Sequence, residues 1–242
     1  MTTFAHFRFA LVVGVVLTQA CNPIYYSPNT QNVPLLHGKG DHSIAIAGNG
    51  NRGELQAAYA VGDRVALGVN GGKFSQKDNS NGDGGSGSFG EAAVGYFQNV
   101  NEHVVFETYG LFGMGSVENH FKSTVAANPG TDGKIASDLM RFGVQPAIGY
   151  RNEMFEAAIS TRVASLNYSN AKGSLVYDKL AQVTYLNNNN QLWLVEPALT
   201  VRIGARQLKL QAQIGRSINL TNGDFRQDKS HATIGFVYRP AR

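Results

Sequence analysis

Between Met140 and Ser165 apolar and polar side chains alternate on either side of a single turn. Phe142, Val144, Pro146, Ile148 and Tyr150 share one face, and Arg141, Gly143, Gln145, Ala147, Gly149 and Arg151 share the other. Beyond Asn152-Glu153, Phe155, Ala157, Ile159, Thr161 and Val163 oppose Glu156, Ala158, Ser160, Arg162 and Ala164. A strand sends successive side chains to opposite faces, so this stretch is a hairpin with one apolar and one polar face. The polar face mixes charge with small residues, as a crowded interior would. The apolar face carries its aromatics beside the turn, as a lipid-facing surface would.

The same period predicts ten strands, near 42–49, 53–61, 64–73, 88–98, 103–116, 138–151, 154–167, 191–203, 207–218 and 231–240. Gly62-Asp63, Asn99 to Glu102, Asn152-Glu153 and Gly204 to Arg206 are tight turns. The first hairpin, through Asn49 to Arg52, is also short. Residues 74–87, 117–137, 168–190 and 219–230 make long connections. An up-and-down meander then gathers nearly all short turns at one end and the long loops at the other. The predicted fold is all-β: an up-and-down antiparallel transmembrane β-barrel of about ten strands, with eight as the alternative count. An even count returns both termini to the short-turn end. Val144 to Arg151 is echoed by Val195 to Arg202, each run with a mid-strand proline, Pro146 and Pro197, where bulges are expected.

Tyr59, Tyr96, Phe106, Tyr150, Phe155 and Tyr238 fall on the apolar face near the short turns and form a candidate aromatic girdle, with Phe112, Phe142 and Trp193 as a sparser upper belt. On the polar face Glu54, Arg64, Glu91, Glu107, Arg141, Arg151, Glu156, Arg162, Glu196 and Arg202, with Lys209, form a candidate lumen charge network. An ion-selective pore favours one sign of charge. Near-balanced signs favour an internally paired, plugged lumen, or at most a narrow channel.

Composition narrows the picture further. Glycine is abundant at 28 of 242 residues, and only 16% of the chain is charged. A net charge of +4 without a Lys/Arg run argues against nucleic acid as a partner. No 18-residue apolar stretch follows residue 20, so no spanning helix is expected. Cys21 is the only cysteine, which excludes an intrachain disulfide.

Residues 1–20 read as a signal peptide, with Arg8 followed by an apolar core. Leu17-Thr18-Gln19-Ala20-Cys21 resembles the lipobox of a bacterial lipoprotein precursor, although Leu stands four residues before the cysteine rather than three. The resemblance implies lipidation at Cys21. Residues 21–41, with Pro23, Pro28 and Pro34, have the composition of an N-terminal tether, and 42–242 form the barrel domain.

From residue 42 to 240 the chain resembles a small bacterial outer-membrane β-barrel protein. The resemblance implies residence in the outer membrane of a diderm bacterium, with periplasmic termini. Outer-membrane lipid, the barrel assembly machinery and a surface ligand or protein are the implied partners. Such proteins end on an aromatic residue, whereas here Tyr238 lies four residues from the end.

His120, Asp132, Asp138, Asp224, Asp228 and His231 offer Asp–His couples for a barrel-mouth hydrolase, but no local motif ties them together. Asp78 to Gly84 lacks the ligand spacing and closing Glu of a calcium loop. No cofactor or metal is expected. The expectation is a non-enzymatic barrel with a structural or surface-binding role. A narrow porin, a barrel-mouth hydrolase and a soluble periplasmic barrel lipoprotein are the alternatives.

Overall fold

A computed structural model describes residues 22–78, 82–122 and 130–240. Ten antiparallel strands close into a barrel: β1 (His42–Asn49), β2 (Arg52–Ala60), β3 (Val65–Lys77), β4 (Gly84–Asn99), β5 (Val104–Phe121), β6 (Gly133–Arg151), β7 (Phe155–Gly173), β8 (Gln191–Gly204), β9 (Leu208–Arg216) and β10 (Ser230–Tyr238). Each strand pairs with the next, and β1 pairs with β10 through Ile44↔Tyr238 to Gly48↔Ile234, which leaves no free edge.

The side chains are inverted relative to a water-soluble protein. Phe142, Ile148, Ile159 and Val201 are 49%, 51%, 63% and 36% exposed, whereas Glu156 and Arg202 are 1% and 2% exposed. The outward apolar run extends from Phe106 to Met114 on β5, from Met140 to Tyr150 on β6 and from Trp193 to Ile203 on β8. Those runs are the roughly 9–11 residues that a tilted strand needs to cross hydrocarbon. Above them β5 and β6 continue with Ser116, Glu118, Lys134 and Asp138 on the outer face, so the wall rises past the apolar belt at the long-loop end. A soluble barrel closed on an apolar core is therefore excluded.

The prolines act differently from expectation. Register continues past both, with Pro197 opposite Thr161 and Pro146 opposite Thr108. The β6–β7 ladder lapses at Gln145 and Pro146 and then resumes in the same register. Ala198↔Gly215 and Val195↔Ile218 place Pro197 opposite Arg216, where β9 ends before a two-residue strand, Ile218–Asn219, resumes the pairing. A proline has no N–H for the ladder, which accounts for a pause rather than a bulge. The register shift that does occur lies at Ala136/Asp138.

The long connection after β7 carries a two-strand hairpin, Val176–Tyr177 with Leu180–Ala181, and one helix, α1 (Gln182–Asn188). Asp178 and Lys179 both have positive φ, the conformation a tight two-residue hairpin turn demands. The helix was not legible in the sequence. It has seven residues, no side-chain N-cap, and is held by buried Gln182 and Leu186 rather than by propensity.

The largest departure concerns the N-terminal segment. Residues 22–41 have the composition of a tether, but in the structure they run the length of the barrel interior. Asn22 lies at the long-loop end, where the Tyr177 hydroxyl donates to its Oδ1, and Asp41 lies at the short-turn end beside Arg151. Tyr25, Tyr26, Val33, Leu35 and Leu36 are all buried. Pro23, Pro28 and Pro34 each lack an N–H for a ladder, and the segment makes only a single bridge among the described residues, Tyr26 to Gln227, while side chains from the surrounding wall bond its backbone.

Candidate functional site

Alternation turns every second wall side chain into the lumen, and the polar ones among them converge on the N-terminal segment. The wall bonds the backbone of that segment almost continuously. Asn119 exchanges two hydrogen bonds with Ile24, its Nδ2 donating to the carbonyl and its Oδ1 accepting from the N–H, each 2.9 Å. The Tyr168 hydroxyl donates to the Tyr25 carbonyl and the Asp228 N–H to that of Tyr26. Arg52, Arg162, Arg202, Arg239 and Arg151 donate to the carbonyls of Pro28, Asn29, Val33, Pro34 and Leu35 in turn. Gln56, Gln213 and Gln145 take those of Thr30, Gln31 and Asn32. The amides find acceptors as well: Thr30 donates to Glu54 at 2.8 Å, Gln31 to Gln213 at 2.7 Å and Leu35 to Glu107 at 3.0 Å.

Two apolar clusters seal this polar midsection. At the long-loop end Tyr25 and Tyr26 pack with Phe121, Leu139, Leu166, Tyr168, Leu186, Leu194 and Phe225. The Tyr185 and Phe225 rings stack with centroids 5.8 Å apart, and the Arg226 guanidinium lies over both Tyr177 and Tyr185, at 4.6 and 4.4 Å. Both the Tyr25 hydroxyl and Arg226 donate to Gln182 of α1. The long loops thus clasp the segment near its Asn22 end. At the short-turn end Val33, Leu35 and Leu36 pack with Ala58, Ala60, Ala66, Phe97 and Val105.

The charges pair inside the wall. Arg141 meets Glu91 at 2.6 Å, and Arg162 meets Glu196 at 2.6 Å, each pair almost wholly buried. Glu156 is the hub of the lower lumen: Arg202 lies at 2.9 Å, Lys209 at 3.3 Å and Arg151 at 3.7 Å, and Arg239 also bonds it. Glu54 pairs with Arg52 at 3.5 Å. Arg64 does not join this network. The turn between β2 and β3 spans 61–64 rather than 62–63, is closed by the Gly62 N–H on the Val65 carbonyl, and leaves Arg64 exposed. Arg52, Asp41 and Arg239 are lumen groups absent from the expected network. Alternation from Glu54 and Gln56 marks Arg52; nothing in the sequence marks Asp41. Burial alone would raise the Asp41 carboxyl, but Arg151 at 3.0 Å and the His37 N–H outweigh it and hold the group below its usual range.

The girdle residues Tyr59, Tyr96, Phe106, Tyr150, Phe155 and Tyr238 are all exposed on the outer face near the short turns. The Tyr150 and Phe155 rings lie 6.4 Å apart, and the Phe112 and Phe142 rings of the upper belt 5.1 Å apart. The candidate Asp–His couple does not form. Asp228 accepts from Ser27 and Gln76 and lies 3.6 Å from Arg52, while the His231 ring has no hydrogen-bond partner among the described residues. Cys21 and the expected signal peptide, residues 1–20, lie outside the described residues.

The placement of the termini is corrected. Chain direction sets Asn22 at the long-loop end and Tyr238 at the short-turn end, so the two ends of the described chain lie on opposite sides of the barrel. An even strand count fixes only where β1 begins and β10 ends. The threaded segment runs back through the lumen from Asp41 to Asn22.

No family model and no curated protein matches the chain. Among solved structures it is similar to the translocator domain of the autotransporter NalP from Neisseria meningitidis, at 10% identity and TM-score 0.40, covering 83% of this chain and 86% of that one. It is also similar to LpxR from Salmonella typhimurium, at 8% identity and TM-score 0.34, covering 82% and 99%. A third is OmpT, an outer membrane protein of Vibrio cholerae, at 12% identity and TM-score 0.25, covering 83% and 96%. The expectation of a non-enzymatic barrel is overturned here, because an antiparallel membrane-type barrel is an architecture that enzymes also use and a fold does not fix function. The architecture gives no ground for excluding catalysis. The class defined by fold and side-chain inversion is a ten-stranded membrane-type β-barrel.

Proposed function

We propose that this chain is an integral outer-membrane barrel of a diderm bacterium, its lumen closed by its own N-terminal segment and its long-loop face serving as a contact surface. The observation that carries this reading is the bonding of residues 24–37 by side chains from all around the wall. A pore lining would be left free to hydrate passing ions. Here the guanidinium groups that would line such a pore bond peptide carbonyls or carboxylates. The clasp of α1, Tyr185, Phe225 and Arg226 fixes the outer surface above this closure, and that surface is where a ligand or protein partner would meet the molecule.

Under this reading Cys21, which stands at the end of a lipobox-like run, carries an acyl anchor. Metabolic labelling with a palmitate analogue, lost in Cys21→Ser, tests the anchor. Planar-bilayer recording tests the closure. The purified barrel should give no steady open steps, and long-lived conductance in the wild-type protein would overturn the closed-lumen reading.

A further inference from the structure

We infer that the lumen is a binding tunnel for an extended polypeptide, with residues 24–37 as its resident occupant. The inference rests on the closed-lumen reading and adds the class of ligand. The wall grips what every polypeptide shares. Arg52, Arg162, Arg202, Arg239 and Arg151 donate to the main-chain carbonyls of Pro28, Asn29, Val33, Pro34 and Leu35, while Glu54, Glu107 and Gln213 accept main-chain amides. A guanidinium presents several donors in a rigid fork, so such a row holds an extended backbone without reading its side chains.

The tunnel also keeps unused bonding capacity. Arg52 Nε, Arg162 Nη1, Arg239 Nε and Glu107 Oε1 are buried with no hydrogen-bond partner among the described residues. An interior evolved only as a core would fill such positions. Selectivity lies at the two ends: a site for paired tyrosines, where Tyr26 donates to Glu196 at 2.9 Å, and about nine residues further on an aliphatic site filled by Val33, Leu35 and Leu36. The resident segment is joined to the wall through an exposed turn at Lys39, so its hold on the lumen is separable from its covalent link to β1.

The test uses the full chain with a specific protease site inserted between Lys39 and Gly40, cut only after folding in detergent. A second variant, with the site between Gly38 and Lys39, guards against a local effect of the insertion. The probe is a fluorescent synthetic peptide of residues 22–39. After cutting, the probe should co-migrate with the folded, heat-modifiable barrel, saturably, and unlabelled peptide should displace it. A peptide with Tyr25, Tyr26, Leu35 and Leu36 replaced by Ala should compete roughly tenfold or more less well. The inference is overturned if the cut segment never exchanges, or if its departure converts the barrel to its unfolded mobility, since either result makes the segment inseparable core. Failure of the closed-lumen reading is distinct, because it appears as conductance in the uncut protein.

Discussion

Glu156 is where removing one charge should cost most. Its carboxylate lies within 4 Å of Arg151, Arg202, Lys209 and Arg239, and its side chain is 1% exposed. Glu156→Gln keeps the shape and one acceptor oxygen but leaves these cations facing each other in a site with little water. Breaking a buried pair from one side typically costs about 3–5 kcal/mol, mostly as the penalty of the orphaned charge. That magnitude is expected in urea unfolding of vesicle-reconstituted protein followed by Trp193 emission, with the denaturant slope unchanged. Because the cost is an orphaned cation, Lys209→Met combined with Glu156→Gln should recover roughly 1–2 kcal/mol, a non-additive result expected only of groups in contact. A loss below about 1 kcal/mol for Glu156→Gln, or strict additivity in the double variant, would refute the hub.

Three further outcomes follow. Ile159→Arg puts a charge on the lipid face near the middle of the β7 run and should cost about 2–4 kcal/mol in bilayers; a neutral effect in the same urea assay would remove Ile159 from hydrocarbon. At Gly149 an added Cβ would lie 2.6 Å from Leu35 Cδ2 and 2.9 Å from the Ala158 Cβ, so Gly149→Val should dislodge the lower end of the segment and produce open steps in planar bilayers, whereas silence there would show the lumen closed by something else. The folded-state acidity of Asp41 is greater than that of the unfolded chain, so its contribution is complete above about pH 4 and is lost as pH falls through the lower folded value. The drop in urea midpoint between pH 5 and pH 3 should shrink in Asp41→Asn, and an identical drop in both proteins would remove Asp41 from the linkage.

The barrel was legible because its defining signal has a period of two. Phe142 to Tyr150 and Phe155 to Val163 reveal both faces at once, and Asn152-Glu153 marks the turn between them. The strand ends at the long-loop side were less legible. β6 begins at Gly133 rather than near 138, and β7 runs to Gly173, because backbone pairing continues where the outward side chains are already polar and the alternation has faded. The threaded segment was not legible at all. Prolines and amides between 22 and 41 are equally suited to a solvated linker, and only the wall opposite, with Arg202 on Val33 and Arg239 on Pro34, distinguishes the two. Arg64 shows the converse limit: it keeps the parity of the inward-facing Ala66 and Gly68 but lies beyond the strand end, in the turn, and so meets solvent.

A membrane barrel requires oily side chains to meet hydrocarbon, and the protein carries its own reporter. Trp193 is the only tryptophan and is 50% exposed on the outer face of β8. In vesicles of brominated phosphatidylcholine its emission should be strongly quenched, most by bromines near the carbonyl end of the chain, while aqueous iodide leaves it nearly unchanged. Quenching by iodide with no response to brominated lipid would place the apolar belt in water and contradict the membrane assignment.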